Sequence, residues 1–423
     1  LPKEELIQNE LIQNELILGN ATILTPFEEI RDGYIHIQNG IIKTVGYKKG
    51  MKEISGSLPS GIPILDMRDR FVAPGFFDIH THGAMGTDAG SSSLGDWIEY
   101  SAKNGTTSFL PTLFTKSYSE VLHDVDSIKG HLEKDYPIRI LGMNLEGPFI
   151  NPRYGVQRFE DCVDPATADY RGLIERAGEG LRIMTVAPEL PGALELIEYL
   201  RERDVVVSIG HTDASAEITE KAIKRGAALM THAYNSFGYP GPLYPEKRKN
   251  KVCGRRLEKA IDVLLEDETV YAELISDKTC VHVAPVLQRT LLTMKGTDKV
   301  ILITDAVPLA GMPGGEYPFI NNTSCSIDYD REEVLRVKET GAIGGSLYSI
   351  PCGIKNIVNT TGISLRRAVK TVTINPAHLL GVGSRLGSIE EGKYADLAVL
   401  NHDLSVAMTI CRGKIIYREE QLE

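Results

Sequence analysis

Side chains with the chemistry of metal ligands or proton carriers stand at the ends of short apolar runs. Phe76-Phe-Asp-Ile runs into His80-Thr-His82, Ile140 to Leu145 into Glu146, and Val205 to Gly210 into His211. Ala228-Leu-Met-Thr ends at His232, and Val300-Ile-Leu-Ile-Thr ends at Asp305. Side chains on a strand alternate with a period of two, so His80 and His82 face the same way. Imidazoles with a carboxylate suit zinc, iron(II) or another first-row divalent ion. Glu146 follows an apolar run, where a carboxylate is costly to bury unless paired or coordinating. Asp305 has the chemistry of a general base, able to take a proton from an activated water and return it to a leaving amine. A lone histidine after a strand is usually a polar loop residue, and His36, His123, His131 and His402 are read that way.

Groups of this kind at the C-terminal ends of several strands point to a parallel barrel, because those ends open on one face. The middle of the chain, 70–384, alternates strand-like runs with amphipathic segments. Candidate strands are Ser108-Phe-Leu, Ile138-Arg-Ile-Leu-Gly, Arg182-Ile-Met-Thr-Val, Val205-Val-Val-Ser-Ile, Ala228-Leu-Met and Val300-Ile-Leu-Ile. Ala193 to Leu200 and Ala216 to Ile223 carry helical spacing between them. Such repeated units predict an α/β fold with a (β/α)8 TIM-like barrel. The flanks differ: short strand-like runs are broken by Asn39-Gly40 near one end and Arg412-Gly413 near the other. Asn-Gly between alternating runs is a hairpin signal. Segments 16–69 and 385–423 are therefore expected to form one small β-sandwich from both chain ends. The echo of Glu-Leu-Ile at residues 5, 10 and 15 fits neither helix nor strand period, so 1–15 is read as an extension or cloning remnant without function.

The chain has 423 residues, enough for a barrel of about 250 residues plus a smaller module. A net charge of −11 argues against nucleic acid, which needs a basic face, but leaves room for a small anionic substrate. No stretch reaches the roughly 18 apolar residues of a membrane span, and Leu1-Pro-Lys-Glu-Glu does not read as a signal peptide. The six cysteines are scattered without a CxxC pair, which predicts free thiols in a reducing cytoplasm.

Several motifs together resemble a known family. Pro74-Gly-Phe-Phe-Asp-Ile-His-Thr-His-Gly resembles the opening motif of the amidohydrolase superfamily. Leu145-Glu-Gly-Pro-Phe-Ile-Asn, Gly210-His-Thr, Thr231-His-Ala-Tyr-Asn, Ile303-Thr-Asp-Ala and Gly344-Gly-Ser-Leu are similar to segments of the N-acetylglucosamine-6-phosphate deacetylases. Asn375-Pro-Ala-His-Leu-Leu-Gly and the run from Leu386 to Ala398 also fit, so the likeness extends from about residue 17 to 417 in family order. The resemblance implies that Glu146, His211 and His232 hold a principal divalent ion and that His80 and His82 permit a second. Zinc stands ahead of iron or manganese as that ion. Asp305 would be general base and acid. His282, Asn235, Ser236 and the Ile343-Gly344-Gly345 loop would meet an amino sugar phosphate, and the enzyme would be a homodimer.

Two departures bear on the substrate. Where the family carries a histidine to the acetyl carbonyl, this chain reads Gly155-Val156-Gln157, so Gln157 is expected to donate its amide there without a cation's charge. The short arginine-bearing loop that reaches a neighbouring subunit's phosphate is rewritten as 238–251, with Lys247, Arg248, Lys249 and Lys251, and Arg255 and Arg256 beyond. Arg248 is the candidate phosphate contact, against the simpler reading of a solvated basic loop. N-acetylgalactosamine-6-phosphate, an unphosphorylated N-acetyl sugar or an N-acyl amino acid remain open as substrates. A hydantoinase is less fitting, because its bridging lysine is replaced by Glu146. A barrel that had become a scaffold would have lost ligands, which are all present. Cys280 and His282 are too close along one run to form a nucleophile pair.

Overall fold

The apolar runs become parallel strands in the computed structural model, which describes residues 15–47, 62–238, 259–318, 324–338, 341 and 343–420. In chain order they are β1 (Phe76–Thr81), β2 (Thr106–Phe114), β3 (Met143–Glu146), β4 (Leu181–Val186), β5 (Val206–Ile209), β6 (Ala227–Met230), β7 (Tyr271–Ile275) and β8 (Val300–Ile303). Each pairs with the next in parallel register. Parallel neighbours need a crossover, and a helix follows every strand, from Gly95–Lys103 after β1 to Ile350–Thr361 after β8. The two segments of expected helical spacing are the helices Ala193–Arg201 and Ala216–Lys224. Ser117 starts the helix Tyr118–Leu132 with a capping box to Glu120, and Ser215 caps the helix that it precedes.

Side-chain alternation sorts the strands into two cores. Met184, Val186, Ala272, Leu274, Val300 and Leu302 pack against the helices. Their neighbours Ile183, Leu229, Ile275, Ile301 and Ile303 join Phe77, Ile79 and Leu110 in a separate buried cluster inside the barrel. The seam between β8 and β1 is closed differently. Asp305 N–H donates to the carbonyl of His80 at 2.9 Å. The Thr304 N–H and hydroxyl donate to Asp78 at 3.3 and 2.6 Å.

The expected strand Ile138-Arg-Ile-Leu-Gly is shorter and displaced. Only Arg139–Ile140 pairs there, and the barrel position is taken by β3 after a turn at Gly142. Gly142 has φ +133, and a Cβ on it would lie 2.5 Å from the Gly180 carbonyl oxygen, so a side chain is excluded. An insertion after β8 adds an antiparallel sheet of Gly315–Pro318, Ser324–Ile327, Val334–Val337 and Ile343–Ser346, which goes beyond the expected barrel and sandwich.

Both chain ends build one further sheet. Its order is Lys414–Arg418, Val406–Cys411, Leu397–Leu400, Phe71–Pro74, Glu15–Leu24, Glu29–Gln38 and Ile41–Tyr47, with Ile64–Asp66 beside Glu15–Leu24. It has a core of its own, in which Leu18, Ile23, Ile35 and Ile37 meet Leu397, Val399 and Met408. The Asn39-Gly40 turn has both residues at positive φ, 52° and 75°, as a tight hairpin requires. The remnant-like residues 1–14 lie outside the described residues. Among the described residues no helix is long and apolar enough to cross a membrane.

Candidate metal centre

The strand ends converge on one small volume. Glu146, at the end of β3, places Oε1 2.8 Å from His211 Nε2 and 2.9 Å from His232 Nε2. Its Oε2 lies 3.3 Å from His82 Nε2, and Asp305 Oδ1 lies 3.1 Å from that same nitrogen. His80 Nε2 is 3.6 Å from both Glu146 Oε1 and Asp305 Oδ1. Two overlapping sets of donors result, His80–His82–Glu146 and Glu146–His211–His232, each with its ligand atoms within 4.8 Å of one another and every residue buried.

The other ring nitrogens decide what these atoms offer. His211 Nδ1 donates to the Tyr154 carbonyl, His82 Nδ1 to the Thr112 carbonyl at 3.0 Å, and His80 Nδ1 to Glu273 at 2.9 Å. A proton on Nδ1 leaves a lone pair on Nε2, so the three Nε2 atoms turn electron pairs toward a carboxylate. His80 Nε2 is buried without a hydrogen-bond partner among the described residues. Converging lone pairs with an orphaned buried nitrogen fit a divalent cation, and the nitrogen and oxygen donors suit zinc, iron or manganese alike.

Charge in the pocket runs the same way. Burial opposes ionisation of Glu146, but positive charge on the facing His80 and His211 outweighs it and holds its carboxyl well below the usual range, and a divalent ion on their Nε2 atoms would act in the same direction. Burial opposes ionisation of Asp305 too, but His82 and His80, wherever they carry positive charge, bring its pKa down, and a divalent ion on the same nitrogens would act in the same direction. Asp305 is therefore a carboxylate, the form a general base needs.

His211, His232 and Asp305 all have positive φ, at 47°, 24° and 49°. For a residue with a Cβ this region costs of order 1 to 3 kcal/mol, and such backbone persists where its surroundings hold it. Asn151 N–H holds the His211 carbonyl at 3.0 Å, and Ser346 N–H holds the Asp305 carbonyl at 3.2 Å.

The expected substrate contacts divide. Ile343, Gly344 and Gly345 lie on the last strand of the inserted sheet, which bridges to Ala306 beside Asp305. Asn235 and Ser236 follow β6, where the Ser236 carbonyl accepts Thr212 N–H at 3.1 Å next to His211. His282 donates Nδ1–H to Asp277 at 3.0 Å. Gln157 is buried, and its Nε2 donates to the Asn151 and Tyr154 carbonyls at 3.2 and 3.0 Å. The amide nitrogen expected to meet an acyl oxygen is thus committed to its own loop. Arg248 and the other basic residues of 247–256 lie outside the described residues.

Glu273 and Asp277 escape the sequence reading. Glu273 sits in the middle of β7, not at the end of an apolar run as Glu146 does, so the strand-end pattern passes over it. Among the solitary histidines, His36 pairs with Glu15 at 2.6 Å, and His131 lies between Tyr136 and the Ser91 carbonyl.

A barrel with this donor set at its strand ends defines a class, and the Amidohydrolase family matches residues 71–416: the chain belongs to that family. It is 30% identical over 415 residues to the N-acetylglucosamine-6-phosphate deacetylase of Bacillus subtilis, covering 96% of this chain and 98% of that one. It is 27% identical over 404 residues to the N-acetylgalactosamine-6-phosphate deacetylase of Escherichia coli O157:H7, covering 94% and 98%. A solved structure from Mycobacterium smegmatis, a variant N-acetyl-D-glucosamine-6-phosphate deacetylase in complex with N-acetyl-D-glucosamine-6-phosphate, superposes with a TM-score of 0.81 at 27% identity over 95% of this chain and 99% of that one.

Proposed function

We propose that this chain hydrolyses the acetyl amide of N-acetylglucosamine-6-phosphate, releasing acetate and glucosamine-6-phosphate. The carrying observation is the Asp305 carboxylate set 3.1 Å from His82, at the edge of the His80–His82–Glu146 group, which shares Glu146 with His211 and His232. The chain's near-full-length similarity to a deacetylase of that substrate supports the choice of sugar.

Glu146, His211 and His232 would hold a divalent ion, for which we favour zinc, and His80 and His82 with Glu146 would hold a second. An ion there supplies Lewis acidity, polarising an acyl carbonyl and making water acidic enough to lose a proton near neutral pH. Asp305 takes that proton as the water oxygen bonds to the acetyl carbon. It then gives the proton to the nitrogen as the carbon–nitrogen bond breaks, so the amine leaves neutral beside acetic acid, whose remaining proton passes to the amine or to solvent to give acetate. Asn235, Ser236, His282 and the Ile343–Gly345 strand orient the sugar, and Arg248 meets its phosphate. We place Gln157 in the same pocket as a support for the Tyr154 carbonyl. The barrel of 70–384 carries this chemistry, and 16–69 with 385–423 forms the β-rich module. We further propose a cytoplasmic homodimer; the five described cysteines are free thiols, as a reducing compartment allows.

Acetate release from N-acetylglucosamine-6-phosphate, N-acetylgalactosamine-6-phosphate and unphosphorylated N-acetylglucosamine by the metal-loaded enzyme tests the reading. The expected result is a preference for the first. Turnover confined to the galactosamine substrate would transfer the assignment to the second reading, which the similarity to the Escherichia coli enzyme favours.

A further inference from the structure

Glu273 lies in neither ligand set, yet it touches both. It is 1% exposed, in the middle of β7, and a carboxylate so placed is costly unless its contacts compensate. Its Oε2 accepts His80 Nδ1–H at 2.9 Å and the backbone N–H of His232 at 3.0 Å. The backbone carbonyl of Glu273 accepts Ala233 N–H at 2.8 Å, so the residue also braces the turn that carries His232. His80 is fully buried, and its other ring nitrogen, Nε2, has no hydrogen-bond partner among the described residues.

We propose that Glu273 is the positioning residue that makes the His80–His82–Glu146 group competent to hold a second divalent ion. Its carboxylate fixes the proton of His80 on Nδ1, turns the Nε2 lone pair into the pocket and raises the basicity of that ring. The same oxygen anchors the His232 backbone, so the seats of the two groups are tied through one atom. His82 is oriented by the Thr112 carbonyl at 3.0 Å, a neutral acceptor. The charge that favours a cation at this half of the centre comes from Glu273 as well as from Glu146 and Asp305. The inference rests on the metal reading above and deepens it.

The test is metal stoichiometry of Glu273→Gln, which keeps the shape and an acceptor oxygen but removes the charge. Wild-type and variant proteins are dialysed as holoproteins against a series of buffered free zinc concentrations, and bound zinc is counted by elemental analysis. The wild type should hold two ions per chain, and the variant should keep one at wild-type affinity and bind the other about 10- to 100-fold more weakly. Equal weakening of both ions, no weakening of either, or a wild type that never takes a second ion overturns the role of Glu273. A wild type that binds no ion removes the metal reading itself, which separates the two failures. Should the variant not fold, nitrogen-15 histidine NMR of the zinc-loaded wild type decides: the proposal requires His80 protonated on Nδ1, and a proton on Nε2 rejects it.

Discussion

Nε2 of His211 stands 3.1 Å from Nε2 of His232, and Glu146 Oε1 lies within 2.9 Å of each. The proton of His211 faces the Tyr154 carbonyl from Nδ1, so the nitrogen that meets His232 carries a lone pair. A divalent cation among these three atoms would be held by all of them, and its binding would then add to the stability of the fold.

Removing divalent ions should therefore lower stability as well as activity. Binding that favours the folded state adds about 4 kcal/mol when free ligand stands at 1,000 times its Kd. Dialysis against a chelator is expected to lower the apparent Tm, and restored zinc should recover both Tm and turnover. An apparent Tm indifferent to the chelator would show that the convergence is held without an ion.

Asp305→Asn keeps size and one acceptor but cannot carry the proton. General acid–base groups contribute on the order of 10²- to 10⁴-fold. Turnover should fall by at least that factor, while bound metal measured by elemental analysis stays near the wild-type amount. Wild-type turnover in this variant would remove Asp305 from the proton path.

Asp277 carries a pH dependence. Burial raises its pKa, but the hydrogen bond and charge of His282, with the N–H groups of Val281 and His282, bring it far below the ordinary value. A carboxyl with a lowered folded pKa stabilises the fold above its unfolded pKa of about 3.9, and that contribution is lost as pH falls through the folded value. Asp277→Asn should cost about 2 kcal/mol or more at neutral pH, because hydrogen bonds to a charged group are involved. The gap between the two proteins should narrow in acid. Urea midpoints taken near neutrality and below the unfolded pKa measure it, and a gap independent of pH would contradict the assignment.

Gly345 holds the inserted sheet close to the proton carrier. It has φ +127, and a Cβ there would lie 2.2 Å from Val307 Cγ1. Gly345→Ala must move Val307 or the strand, and with it the loop of Asp305. A displacement near 1 Å can cost about 10²-fold in rate, so kcat should fall by about that much while metal content holds. Unchanged kcat would mean that the strand gives way without disturbing Asp305.

Much of this molecule is legible in the chain because local rules act over a few residues. Asn39-Gly40 makes its turn through positive φ, which asparagine and glycine adopt more readily than other residues. His80, His82, Glu146, His211, His232 and Asp305 stand out because a polar group closing an apolar run marks the mouth of a parallel barrel. What the tertiary structure alone decides depends on atoms distant in sequence. Glu273 meets His80 across 193 positions, and Asp78 closes the barrel on Thr304 across 226. Whether the Gln157 amide faces an acyl oxygen or its own loop is likewise a matter of which carbonyls the fold brings within 3.2 Å of it. Period and turn chemistry identify the groups that can react, but only closure of the barrel sets which oxygen lies beside which nitrogen, and hence where each proton resides.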